Sequence, residues 1–377
     1  MFLKAKRMTA AGAGLLRKAI PARGWRRYAA GGVVVSMAAF GAIAAVTAAP
    51  AQAAHAQVAH TQSAQVTSAK DRFCAPPPSP TLPGFKQGYV AVSGDNSVHY
   101  VIGGAGPVLV LIHGWPTTWW EFSAVMPTLA KNYTVIAFDL PGLGNSAPST
   151  IGYTDADIAT VLHAAVGALG YGSSPVSILG HDLGGNVAYS YARLFPGSVS
   201  REMVLETALA GYGLENLYNV SFHFLFNEQP SAVTEGMVNN RKSSDAYLNY
   251  MYSFVANQAS ITDQDKRIWD GDYGCSANRE DGYDYYRTIP DDATWDTSTN
   301  TSKLTVEIAA MGGADSFGPL VAQSFGSVDS NVNTIIAPNS GHYIPDENPA
   351  FLSECATLFF SASPPATAPA GYASCLP

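Results

Sequence analysis

The sequence predicts an α/β protein with a mostly parallel sheet flanked by helices and a helical cap inserted before the last strands. Near-continuous apolar runs, typical of strands buried on both faces, recur along the chain and are separated by helix-length segments. One run leads into a sharp glycine-rich turn at residues 180–184. From about residue 211 to residue 301 these runs stop, and aromatic and polar residues recur at helical spacing.

Residues 1–53 have the pattern of a secretory signal peptide. They contain eight Lys or Arg and no Asp or Glu. A basic stretch, an apolar run over residues 29–49 and the small-residue sequence Ala51-Gln-Ala53 follow one another in the order typical of cleaved signals. Arg26 and Arg27 leave the Sec and twin-arginine routes both open. A retained transmembrane helix is the alternative, because the apolar run is long enough to span a bilayer.

The remaining chain is acidic, with 13 Lys or Arg against 29 Asp or Glu and a formal net charge of −16. This charge argues against nucleic acid, and against a membrane after signal cleavage, as partners.

All four cysteines follow the predicted signal: Cys74, Cys275, Cys355 and Cys375. An even count in an oxidising compartment favours two disulfides with three possible pairings, and we expect Cys355–Cys375 and Cys74–Cys275. No spacing resembles a zinc site.

The order of segments after the signal predicts one α/β core interrupted by the cap. We expect an Ala, Gln and Pro-rich disordered arm (54–83), a first part of the core (84–210), the cap (211–301), a second part of the core (302–361) and a Pro-rich tail (362–377). A hairpin is predicted around residues 93–96. Further strands are predicted at 108–112, 133–138, 176–179, 203–205, 304–309 and 333–337, and a closing helix at 350–360.

The turn at residues 180–184 has the sequence of a nucleophile elbow, G-x-Nuc-x-G, with Asp182 at its centre. Gly180 and Gly184 allow a turn tight enough to expose the central residue above the sheet. A carboxylate nucleophile attacks an sp³ carbon and leaves an ester, which is the chemistry of epoxide or carbon–halogen cleavage. The alternative is an ordinary strand-to-helix turn with an N-capping aspartate.

Two other loops supply partners for this nucleophile. The sequence His113-Gly-Trp115-Pro follows a predicted strand, so the backbone N–H groups of Trp115 and Leu183 are candidate oxyanion donors. His342 follows the last predicted strand and is the candidate base that activates water against the ester. A solvated loop histidine is the alternative for His342.

The sequence identifies the acid that orients His342, and the groups that assist ring opening, less clearly than it identifies Asp182 and His342. Glu206 and Asp315 each follow a predicted strand at the carboxyl edge of the sheet, and either one is placed to fix the imidazole tautomer. His223 and Tyr286 lie in aromatic cap segments and are the candidate hydrogen-bond donors to the departing oxygen. Ordinary packing in an aromatic cap is the alternative for both.

These residues together resemble the α/β-hydrolase-fold epoxide hydrolases, most closely the secreted bacterial Cif type. The resemblance spans about residues 84–360 and rests on segments 99–107, 113–116, 138–146, 180–184, 222–224, 285–287 and 340–342. It implies that Asp182 is the nucleophile, His342 the base, and His223 and Tyr286 the donors to the epoxide oxygen. Glu206 matches the relay acid of the Cif type and is favoured, whereas Asp315 matches the relay acid of other epoxide hydrolases.

Two positions depart from the related dehalogenases. Leu183 stands where haloalkane dehalogenases carry a halide-binding tryptophan, and neither Leu183 nor Asn186 is the arginine of fluoroacetate dehalogenases. The sequence therefore predicts a hydrolase that opens a small apolar epoxide without a cofactor or metal. A dehalogenase with the same nucleophile, or a protein that binds an apolar ligand without converting it, are the alternatives.

Overall fold

The computed structural model describes residues 78–92 and 97–377. The predicted signal peptide and most of the predicted arm therefore lie outside the described residues. Eight strands within the described residues form one sheet. They are β1 Phe85–Ala91, β2 Ser97–Gly104, β3 Val108–Ile112, β4 Thr134–Phe138, β5 Val176–His181, β6 Val199–Leu205, β7 Glu307–Gly313 and β8 Val332–Ala337.

The strand order is β1-β2-β4-β3-β5-β6-β7-β8. The predicted hairpin is confirmed by the antiparallel β1–β2 pair, and β3 to β8 are parallel to one another. The expected strand at residues 304–309 was placed too early, because β7 begins at Glu307 and continues to Gly313. Leu304 forms only an isolated bridge with Asp329.

Twelve helices accompany the sheet in the described ranges. They are α1 Met126–Leu129, α2 Asp155–Ala168, α3 Leu183–Leu194, α4 His223–Asn227, α5 Ser231–Met237, α6 Arg241–Met251, α7 Asp263–Tyr273, α8 Ser276–Arg287, α9 Ile289–Thr299, α10 Leu320–Phe325, α11 Ile344–Glu347 and α12 Pro349–Phe360. The predicted closing helix thus corresponds to α12.

Alternate residues of the central strands pack on opposite faces of the sheet, as the pleat requires. Val110 and Ile112 of β3 join the core cluster that contains α2 and α3. Leu109 and Leu111 join the cluster that contains α1 and α12. Because both faces of the strand are covered, all four side chains are buried, which explains the unbroken apolar run in the sequence.

Helices α4 to α9 lie between β6 and β7 in the chain, and this stretch contains no strand among its described residues. Buried aromatic side chains hydrogen-bond this cap to the core. The Tyr273 hydroxyl donates to the carbonyl of Thr117 at 2.7 Å, and the Tyr285 hydroxyl donates to the carbonyl of Pro141 at 2.8 Å. Each ring buries apolar area while its hydroxyl finds a partner, so the cap is held over the carboxyl end of the sheet.

The predicted Cys355–Cys375 disulfide is confirmed, with a Cα–Cα distance of 5.0 Å. It ties the tail to α12. Cys275 is also disulfide-bonded. Its expected partner, Cys74, lies outside the described residues, so that pairing stays a prediction.

No helix in the described ranges has both the length and the apolar composition needed to cross a bilayer.

Candidate active site

Asp182 occupies a sharp turn between the end of β5 and the start of α3, with φ of 51°. Positive φ is uncommon outside glycine, although aspartate tolerates it better than most residues. A Cβ at Gly180 would collide with the carbonyl of Gly184, and a Cβ at Gly184 would collide with that of Ile112. Both glycines are therefore required for the turn, which leaves the Asp182 side chain 17% exposed.

The Asp182 carboxylate lies against the loop that follows β3. The Trp115 N–H donates to Asp182 Oδ1 at 3.0 Å. This approach needs Gly114, since a Cβ there would overlap the Asp182 side chain. The Leu183 N–H is the first of α3, so it is not used by the hydrogen-bond ladder of that helix. One carboxylate oxygen thus already sits where backbone amides stabilise negative charge.

His342 lies between two carboxylates. Its Nε2 is 3.7 Å from Asp182 Oδ2, and its Nδ1 is 3.4 Å from Glu206 Oε2. Glu206 is fully buried with φ of 51°. Its Oε1 accepts the backbone N–H groups of Gly313 at 2.5 Å and Phe317 at 3.3 Å. Because Oε1 is occupied in this way, Oε2 is the oxygen that faces the imidazole.

Asp315, the other candidate acid, is placed differently. Its backbone N–H donates to the carbonyl of Ser340 at 3.0 Å, but its side chain is exposed and forms no hydrogen bond or ion pair with a described residue. Of the two acids named from the sequence, Glu206 lies next to His342 Nδ1, whereas Asp315 lies at the rim of a cavity above Asp182.

A cavity of about 380 Å³ opens above Asp182 between the core and the cap. Its apolar walls include Trp115, Leu217, Phe224, Met251, Phe254 and Phe317. Asp182, His223, His342 and Asp315 also line it, and no Lys or Arg is among its described lining residues. No group of His, Cys, Asp or Glu in the described ranges is arranged to hold a metal ion. The site is therefore an apolar pocket with few polar groups, as is usual for small-molecule binding.

His223 and Tyr286 lie together beside Trp115. The Tyr286 ring meets both other rings nearly edge-on at centroid distances of 5.5 Å. Burial lowers the pKa of His223 to about 3, so its imidazole is neutral. Ser221 Oγ is 2.5 Å from its Nδ1 and is also 3.1 Å from the Tyr250 hydroxyl. Burial and the nearby charge of Asp182 raise the pKa of Tyr286 well above 10, so its hydroxyl keeps its proton.

A second histidine–carboxylate pair supports the site, and the sequence analysis missed it. His181 is fully buried, with Nδ1 3.1 Å from Glu121 Oε2 and Nε2 2.8 Å from the carbonyl of His342. Burial alone would lower the pKa of His181, but the charge and hydrogen bond of Glu121 outweigh it and raise the pKa to about 9. The position of His181 directly before Asp182 was the available signal in the sequence, whereas no sequence pattern marked Glu121.

Glu121→Gln is expected to destabilise the protein in a pH-dependent way. The pKa of His181 is raised above its unfolded value of about 6.5, so the pair stabilises the fold fully below that pH and loses its effect as the pH rises through about 9. We expect the wild-type advantage in unfolding free energy to be about 2–3 kcal/mol near pH 6 and to shrink by pH 9.5. Urea unfolding across this range measures it, with exposed Glu354→Gln as control. A constant difference across the range would contradict the assignment.

A mostly parallel sheet whose strand-to-helix elbow presents its central residue to a histidine is the architecture of the α/β hydrolases. Residues 109–354 match the Alpha/beta hydrolase family. The chain belongs to this family and is a hydrolase.

Its relatives include proteins named for epoxide hydrolysis. The chain is 30% identical over 275 residues to the soluble epoxide hydrolase of Corynebacterium sp. (strain C12), covering 70% of this chain and 93% of that protein. It is 31% identical over 164 residues to a fluoroacetate dehalogenase of Burkholderia sp., covering 41% of this chain and 53% of the relative. The predicted resemblance to epoxide hydrolases is therefore confirmed at the level of the family.

Solved structures agree with this fold. Cfl2 of Burkholderia cenocepacia has a TM-score of 0.70 at 26% identity and covers 75% of this chain and 98% of its own. The Cif epoxide hydrolase of Acinetobacter nosocomialis has a TM-score of 0.68 at 21% identity and covers 75% and 91%. At that identity the likeness to Cif concerns the fold alone.

Proposed function

We propose that the protein is an exported epoxide hydrolase that converts an apolar epoxide to a vicinal diol through an ester on Asp182. One observation carries the proposal: Asp182 faces an apolar cavity and is held between the Trp115 N–H and His342, which is itself backed by Glu206. Export rests on the signal-peptide pattern of residues 1–53. The similarity to the Corynebacterium epoxide hydrolase supports the choice of substrate.

In the first step an Asp182 oxygen attacks a ring carbon while the carbon–oxygen bond of the epoxide breaks. The electron pair moves to the departing oxygen, which accepts hydrogen bonds from His223 and Tyr286. This role requires the neutral His223 imidazole to carry its proton on Nε2, and in that tautomer the Ser221 hydroxyl donates to Nδ1. Tyr286 remains a donor at neutral pH because its hydroxyl is protonated.

In the second step His342 removes a proton from water, and the resulting hydroxide attacks the ester carbonyl. The negative charge that forms on the carbonyl oxygen is stabilised by the N–H groups of Trp115 and Leu183. Glu206 stabilises the imidazolium through Nδ1. Collapse of the intermediate breaks the ester bond, and the hydroxyl proton of the resulting Asp182 carboxyl group moves to the departing oxygen. The proton on His342 replaces the one that the ring-opened oxygen takes from Tyr286. The diol is released, and the Asp182 carboxylate, neutral His342 and protonated Tyr286 are restored.

His342→Gln is expected to trap the ester, because this change removes the base of the second step and leaves the nucleophile of the first step intact. Intact-protein mass spectrometry after exposure to an epoxide should show an increase equal to the mass of that epoxide. Peptide mapping should place it on Asp182. A folded variant that stays unmodified, while the wild-type protein forms diol, would contradict the ester mechanism.

The alternative function, a dehalogenase, uses the same nucleophile and is distinguished from an epoxide hydrolase by its product. Residue 183 is leucine, at the position where haloalkane dehalogenases carry a halide-binding tryptophan. A carboxylate substrate needs a cation, and none lines the described cavity. Diol formation from epoxides without halide release from haloalkanes or fluoroacetate is the expected result. A ligand recovered unchanged from active-site-intact protein would favour the binding-only alternative.

A further inference from the structure

The cavity is lined by acidic side chains and by no basic Lys or Arg side chain among the described residues. Asp182 lies at its base and Asp315 at its rim. The Asp315 carboxylate projects from an exposed residue and has no described ion-pair partner. An anion that enters the cavity therefore meets two carboxylates and no compensating cation.

The sequence around the mouth reinforces this asymmetry. Residues 202–240 and 304–377 contain no Lys or Arg. These two stretches supply the cap segment and the loops that line the cavity, apart from Trp115, Asp182, Met251 and Phe254. The cap segment instead carries Glu215 and Glu228. The absence of cations thus extends along both of these stretches, whereas the helix that supplies Met251 begins with Arg241 and Lys242 at its far end.

The rim also carries exposed apolar side chains. Val220 and Leu320, which line the cavity, are 74% and 46% exposed. An apolar chain that extends out of the cavity would cover these side chains and gain from their burial. Apolar walls lower the local dielectric at the base of the cavity, which strengthens repulsion between Asp182 and a like charge on the substrate. The exposed Asp315 adds a repulsion at the rim that water and salt partly screen.

We propose that the physiological substrate is an uncharged apolar epoxide and that Asp315 is a specificity-determining residue that disfavours epoxides bearing a carboxylate. This inference rests on the proposed function and names the substrate class of the same site. The inference also gives a role to Asp315, which does not contact His342 Nδ1. A relay role for Asp315 would affect charged and uncharged substrates alike, whereas repulsion affects only the charged one.

The test compares 10,11-epoxyundecanoate with 10,11-epoxyundecanamide, which share a chain length and differ in charge. We expect wild-type kcat/KM to favour the amide by about tenfold or more, since like-charge repulsion and the lack of a cation act together. Asp315→Asn should lower the amide-to-carboxylate ratio by about threefold, the size typical of one exposed charge pair. Added salt should lower the wild-type ratio. Glu354→Gln removes an exposed charge outside the cavity and should not alter the ratio.

Binding measured without turnover separates this inference from the proposed function. Undecanoate and undecanamide have no epoxide, and isothermal titration calorimetry measures the affinity of the protein for each of them. Equal affinity for both, equal kcat/KM for the two epoxides, or an Asp315→Asn variant with the wild-type ratio would overturn the inference. Selective binding of undecanamide without diol formation from either epoxide would support the inference and refute epoxide hydrolysis.

Discussion

Asp182→Asn is expected to abolish both diol formation and ester formation, with a loss in kcat/KM of at least about 10⁴-fold. A neutral amide is a far weaker nucleophile than a carboxylate, and no other carboxylate is held against both Trp115 N–H and His342 in the described site. The fold should be retained, because asparagine tolerates the φ of 51° and its carbonyl oxygen still accepts the Trp115 N–H. Initial rates, intact mass and near-UV circular dichroism measure these outcomes.

The double variant Asp182→Asn/His342→Gln makes this prediction specific. It should show no mass increase under conditions in which His342→Gln alone becomes fully modified. Asp291→Asn, which neutralises an exposed carboxylate on α9, is the matched control and should keep wild-type activity. A mass increase in the double variant would mean that another residue forms the covalent bond.

The elbow could be predicted from sequence because its close contacts select glycine at two positions four residues apart. Gly180 and Gly184 are needed by contacts within four residues and with β3, and such close approaches select glycine strongly. The start of β7 was misplaced because local apolar residues do not set its register. Glu307 opposes Arg201 of β6 and forms an ion pair with it at 2.7 Å, and Gly312 and Gly313 extend the strand although glycine is unfavourable there.

The relay acid could not be chosen from local sequence, since Glu206 and Asp315 both follow strands at one edge of the sheet. The difference between them is set by contacts with residues more than 100 positions away. Gly313 and Phe317 hold one oxygen of Glu206, which turns the other toward His342. The role of Glu121 could not be predicted for the same reason, because its partner His181 is 60 residues away in the chain.

Glu206→Gln is expected to lower kcat by about 10³–10⁴-fold through the second step. Two backbone N–H groups point at the position of Oε1, so the glutamine carbonyl oxygen will occupy it and the amide nitrogen will take the position of Oε2. That nitrogen donates to Nδ1 of His342 and forces the proton onto Nε2. An imidazole with Nε2 protonated cannot remove a proton from water, and the variant also loses the charge that stabilises the imidazolium.

The kinetics of this variant should separate its two half-reactions. Ester formation on Asp182 should proceed at close to the wild-type rate, because that step does not use His342 as a base, and the ester should then accumulate. Rapid-quench mass spectrometry follows both phases. Asp315→Asn is the matched comparison and should fall far short of this loss on an uncharged epoxide. If Asp315→Asn accumulated the ester and Glu206→Gln did not, the relay would belong to Asp315, and the proximity of Glu206 to Nδ1 would have only a structural role.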